Sequence, residues 1–74
     1  MSTHVYKKIE LVGSSPVSSD DAIRNALERA AKTLKNLDWF EVTETRGHLE
    51  NGKIAHWQVG VKVGMRVEGP DADA

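Results

Sequence analysis

The sequence predicts an α+β domain with the element order β-α-β-β. Three observations carry that prediction: an opening run rich in β-branched and aromatic residues, one stretch whose apolar residues recur every three or four positions, and two long alternating runs joined by Asn51-Gly52. A chain of 74 residues has room for one domain. That domain is expected over residues 1–68, with the polar tail at 69–74 disordered.

The opening run, HVYKKIELVG, stops at a glycine and reads as a first strand from about His4 to Val12, followed by the loop GSSPVSS. Ser18 then makes a good N-cap, with Asp21 three residues on, and Asp20 and Asp21 bring negative charge to the positive end of the helix dipole. Ala22, Ile23, Ala26, Leu27, Ala30, Leu34 and Leu37 form one apolar stripe, while Arg24, Glu28, Arg29, Lys32 and Lys35 occupy the other side. This pattern predicts an amphipathic helix from Ser19 to Asn36. Asp38 to Glu50 and Lys53 to Val67 alternate as strands do, and Asn-Gly between them supplies the positive φ of a two-residue type I′ turn. They read as a β-hairpin.

Composition excludes several classes of function. The net charge is −1 and no basic run exceeds Lys7-Lys8, so no nucleic-acid partner is expected. No stretch approaches the roughly 20 apolar residues of a membrane span, and MSTHVYKK lacks the apolar centre of a signal peptide, so a soluble cytoplasmic protein is expected. The absence of cysteine excludes disulfides and thiolate metal sites. None of His4, His48 and His56 lies at helical spacing with another or beside a second strong ligand in sequence, so no metal site is expected. No positioned nucleophile or acid–base pair is visible, and an enzyme is not expected.

A two-residue turn fixes the hairpin register in the absence of a β-bulge. Glu50 then faces Lys53, and one face presents Phe40 opposite Val63, Val42 opposite Val61 and Glu44 opposite Val59 as the side toward the helix. The other face presents Trp39 opposite Gly64, Glu41 opposite Lys62, Thr43 opposite Gly60, Thr45 opposite Gln58 and Gly47 opposite His56. Trp39 and Phe40 are neighbours on a strand, so one ring enters the core and the other leaves it. The outward face thus carries an indole, glycines beside it at Gly60 and Gly64, and hydrogen-bonding side chains at Gln58 and Thr45. Glycine inside a strand often marks the close approach of a ligand or another backbone. A flat aromatic ligand stacked on indole and read at its edge by an amide fits this face; so does a neighbouring subunit packed on Trp39.

Length argues separately for assembly. A chain this short buries only about 60% of the surface its unfolded form exposes, and oligomerisation is the supplement left once disulfides and metals are set aside. The last strand would run about 50 Å, whereas the helix would cover about 27 Å. Ala55, Trp57, Val59, Val61, Val63, Met65 and Val67 are apolar throughout, so part of this stripe is expected to be covered by another chain. Trp57, with Arg46 opposite it as a cation–π partner, is the expected contact.

Taken in order, VYKKIELVGSS, AIRNALERAAKTLKNLDWFEVTETRGHLENG and WQVGVKVGMRVE resemble the dodecin family, and the resemblance extends to Glu68. Met65 and Val67 depart from the phenylalanine and leucine common in that family's VGFRLE. The resemblance implies a three-stranded antiparallel sheet wrapped around the helix and assembly into a hollow dodecamer. It further implies flavin binding, FMN first and riboflavin second, with two isoalloxazine rings stacked between the tryptophans of two subunits. Trp39 matches that tryptophan, and Gln58 matches the glutamine that bonds the pyrimidine edge. Arg46 matches an arginine near the flavin, and His4 and Tyr6 fall in the segment near its phosphate end. Arg46 stands on the face away from Trp39 in the bulge-free register, so either a neighbouring subunit or a bulge would have to bring it into the site. Coenzyme A is implied as a second ligand, with Arg29, Lys32 and Arg66 as its basic residues. The function so implied is flavin storage with quenching of the excited ring by indole. The alternative is a structural or protein-interaction oligomer without a cofactor.

Overall fold

In the computed structural model, residues 3–68 are described; the tail at 69–74 lies outside them. The chain forms β1 (Val5–Ser15), α1 (Ser19–Ala31), β2 (Leu37–Glu50) and β3 (Lys53–Val67). The three strands make one antiparallel sheet in the order β1-β3-β2. The expected β-α-β-β order and the antiparallel sheet with one helix are both present, and Asn51 and Gly52 turn the hairpin with φ of 53° and 77°.

β1 is longer than the sequence suggests. Gly13 does not end it, and Gly13, Ser14 and Ser15 pair with Val59, Gln58 and Trp57 of β3. The glycine is there because the helix crosses it: a Cβ at Gly13 would strike the carbonyl oxygen of Ala22 and come within 2.9 Å of the Ala26 Cβ. The obstruction is largely backbone, which no rotamer change relieves. Gly13→Ala is therefore expected to destabilise the fold by ~1–3 kcal/mol, the usual range for overpacking. A lowered melting temperature checks this, and an unaltered melt would mean that β1 and α1 separate without penalty.

The helix begins as expected. Ser18 Oγ accepts from Asp21 N at 3.0 Å, and the buried Ser15 hydroxyl donates to Asp21 Oδ2 at 2.6 Å, tying the end of β1 to the first helical turn. It ends five residues early. After Ala31 the chain tightens, with Thr33 N and Leu34 N both donating to Ala30 O. Asn36 then adopts φ of 62°, a left-handed conformation that asparagine tolerates. In that position its carbonyl accepts from Arg66 N and its side-chain amide donates to Arg66 O. Tertiary pairing with β3 thus overrides the apolar spacing that continues through Leu34 and Leu37.

The core is small. Ala22 and Ala26 of the helix meet Val59, Val61 and Val63 of β3, with Ile9, Leu11, Ile23, Leu27 and Leu37 packed around them, and Ala30 and Met65 are buried as well. The helix rests on β1 and β3 and leaves β2 exposed beyond Leu37. Phe40 and Val42, expected against the helix, lie on that side of the sheet but stay 46% and 47% exposed. A 13-residue helix spans about 20 Å, while the molecule is 56 Å long and 13 Å thick. Its radius of gyration of 15.6 Å exceeds the roughly 11 Å of a compact chain of this length.

The hairpin contains compensating bulges. Ala55 is an extra residue on β3, between the pairs Leu49–Ile54 and His48–His56, and Thr43 is an extra residue on β2, between Val42–Val61 and Glu44–Gly60. The expected pairs hold from Trp39 to Val42 and again at the turn. Between the bulges every pair moves by one. Glu44 faces Gly60 rather than Val59, Thr45 faces Val59 rather than Gln58, Arg46 faces Gln58, and Gly47 faces Trp57 rather than His56. Arg46 therefore does not oppose Trp57, and the expected cation–π pair is replaced by a polar one.

Candidate functional site

The sheet face turned away from the helix carries two clusters, one at each end. At the first, Trp39 lies flat on the backbone of Gly64: a Cβ there would collide with three atoms of the indole. The close approach that a glycine inside a strand suggests is made here by the indole of the same chain. Tyr6, across β3, meets the indole edge-on, with centroids 5.2 Å apart at 68°, and His4 meets Tyr6 at 6.4 Å. Trp39 is held on one side by backbone and on its flank by phenol, yet remains 37% exposed. Lys8 and Glu41 pair beside it at 3.0 Å. Both are half exposed, and such a pair contributes below about 1 kcal/mol.

At the second cluster the Thr43 bulge is decisive. By adding one residue to β2 it turns Arg46 onto the same face as Trp39 and Gln58. Arg46 Nε donates to Gln58 Oε1 at 3.0 Å, and Nη1 stands 3.5 Å from Glu44 Oε1. Of the two routes by which Arg46 could reach that face, the bulge is the one observed. The same shift turns Thr45 to the helix side, opposite Val59, so a shared face with Trp39 no longer supports it as a ligand contact. Gly60 is likewise not open: a Cβ would meet Thr43 Oγ1 at 2.7 Å and Glu44 Cγ at 3.1 Å.

Gly64, under the indole, and Gln58 are six positions apart on β3, about 20 Å along the strand. That exceeds the length of three fused rings. One chain carries both groups on one face without bringing them together on one such ligand.

The basic residues are dispersed. Arg29 and Lys32 line a groove of about 650 Å³ between the helix and β1, with Asn25, Leu11, Thr33 and Leu34. Arg66 pairs with Tyr6 on the opposite face of the sheet and does not join them. A second groove, about 330 Å³ and almost wholly apolar, runs between the helix and β2 and is lined by Leu27, Ala31, Leu37, Trp39, Phe40 and Val63. Among the described residues no group of three or more His, Asp or Glu stands together, and no helix is long and apolar enough to cross a membrane.

The Dodecin family profile matches residues 5–68. The chain belongs to the dodecin family. It is 52% identical over 64 residues to the dodecin of Thermus thermophilus, covering 86% of this chain and 93% of that one. Its backbone superposes on the dodecin of Streptomyces coelicolor with a TM-score of 0.88 at 56% identity, covering 93% of this chain and 99% of that structure. The dodecin from Streptomyces davaonensis gives 0.87 at 56% identity, covering 92% of this chain and all of that one. As a family, dodecins are small flavin-binding proteins rather than catalysts.

Proposed function

We propose that this dodecin stores flavin, with FMN as the ligand and riboflavin as the lesser one, in a cytoplasmic hollow dodecamer. The observation that carries the reading is the indole of Trp39, laid on Gly64, buttressed by Tyr6 and still open on its outer side. A ring fixed in this way is ordered before any ligand arrives, so stacking entails little further loss of side-chain freedom. Flavin supplies an isoalloxazine whose excited state takes an electron from a neighbouring aromatic. Trp39 would be the donor here, its contact quenching a bound ring before photochemistry could follow.

Gln58 reads the pyrimidine edge. With its carbonyl oxygen taken by Arg46 Nε, its amide nitrogen is left to donate outward. Because Trp39 and Gln58 lie about 20 Å apart in one chain, the stack and the edge contact on a given ring come from different chains. The site is then a product of assembly. His4 and Tyr6 stand beside Trp39, in reach of the ribityl phosphate end. Coenzyme A is a second ligand, drawn by Arg29 and Lys32 in their groove; Arg66, on the other face, can join it only from another chain.

The test is a fluorescence titration with FMN of the parent and of Gln58→Leu. The substitution leaves the pyrimidine edge without a partner, a loss of about 1–3 kcal/mol. Weaker binding with an unchanged assembly mass supports the assignment, and equal affinity removes Gln58 from the site. A parent that does not bind FMN would leave a structural or interaction oligomer as the better reading.

A further inference from the structure

We propose that His48 and His56 form a binding site for a divalent first-row transition-metal cation, Cu²⁺ above Ni²⁺ and Zn²⁺. The two histidines are eight positions apart in sequence, which gives no sign of a shared site. The Ala55 bulge removes that separation: it sets His56 directly opposite His48 on the adjacent strand, where a bulge-free hairpin would have set it opposite Gly47. The rings face each other with centroids 5.2 Å apart and an interplanar angle of 18°. Among the described residues no hydrogen bond engages either imidazole, so their nitrogens are available as ligands.

Metal–imidazole bonds are about 2.0–2.1 Å long, so two nitrogens on one ion must come within about 4 Å of each other. Rings at 5.2 Å reach this by turning their edges together about the soft terminal torsion, with no movement of the strands. The backbone is already fixed by the two-residue turn and the paired strands, so binding requires ordering of two side chains only. His48 is exposed and His56 half-buried, which leaves the remaining coordination positions to water. Neutral imidazole suits Cu²⁺, Ni²⁺ and Zn²⁺, and the Irving–Williams order places Cu²⁺ first. Of the positive charges flanking the pair on this face, Arg46 is matched by Glu44 and bonded to Gln58, and Lys53 stands opposite Glu50, so neither is an unbalanced charge against a cation here.

The experiment titrates Cu²⁺ into the full-length protein carrying His4→Ala, so that the remaining imidazoles are the proposed pair. Expected are one Cu²⁺ per chain and an electron paramagnetic resonance spectrum with coupling to two ring nitrogens. His48→Ala and His56→Ala should each weaken binding by about tenfold or more, since even the loss of an outer-shell partner weakens metal affinity by roughly 10- to 100-fold. His48→Gln, which keeps a polar side chain on the strand, should show the same loss. Zn²⁺ should raise the melting temperature of the His4→Ala protein and not that of the three further variants. Undiminished Cu²⁺ binding in His48→Gln or His56→Ala overturns the proposal, as does coupling to a single ring, or no binding at all, in the His4→Ala protein.

Discussion

Trp39→Ala is expected to weaken FMN binding by more than a single stacking contact is worth. Stacking of a flat heteroaromatic on an aromatic side chain contributes roughly 1–3 kcal/mol, by analogy with nucleobases. If two subunits each present Trp39 to one stacked pair of rings, a single substitution removes the contact twice. A loss beyond about a hundredfold is then the expected scale, because each 1.4 kcal/mol is about tenfold. The complex that remains should fluoresce more strongly, since the nearest electron donor is gone. Gly64→Ala should move affinity in the same direction, because its Cβ occupies the place where the indole lies. Trp57→Phe is the control. Trp57 faces Gly47 and Ser15 on the helix side of the sheet, so its loss should leave the quenching nearly unchanged. Equal effects of Trp39→Ala and Trp57→Phe in a fluorescence titration would make Trp39 an interface residue and nothing more.

The parts of the fold legible in the sequence are those decided by local chemistry. Asn51-Gly52 turns the hairpin because only such residues accept two successive positive φ angles at low strain. Ser18 caps the helix through its own hydroxyl. The helix terminus was not legible, since Leu34 and Leu37 continue the apolar spacing, and the decision rests with Asn36 and its bonds to Arg66, thirty positions away. Gly13 looks like a strand end from its neighbours alone. Its reason, the close passage of Ala22 and Ala26, exists only once the helix has docked.

The candidate site divides in the same way. Trp39 opposite Gly64 was legible because the bulges at Ala55 and Thr43 cancel before that point is reached. Arg46 and Thr45 lie between them, and there each residue takes the face its neighbour would have had. Neither alanine nor threonine advertises a bulge, since the residue that marks one within a strand is glycine. The polar pairing of Arg46 with Gln58 and the stacking of His48 on His56 were therefore hidden, although all four residues were in plain view.

The largest structural effect is expected from Phe40→Asp, which tests whether another chain covers β2. In the single chain Phe40 is 46% exposed beside Val42 and the apolar groove of Leu27, Ala31, Leu37 and Val63. A half-exposed site on a free surface tolerates substitution, usually within about 0.5 kcal/mol. A covered site does not, because a buried unpaired carboxylate carries a desolvation penalty of several kcal/mol. A closed assembly repeats that penalty in every subunit. If β2 is covered by neighbouring chains, light scattering at micromolar concentration should report a mass near a dodecamer for the parent and far smaller species for Phe40→Asp. Val17→Asp, at an exposed position in the β1–α1 connection, serves as the matched control and should assemble as the parent does. Retention of the full mass by Phe40→Asp would leave β2 facing solvent, and with it would fall the two-chain pocket in which Trp39 of one subunit and Gln58 of another hold the same ring.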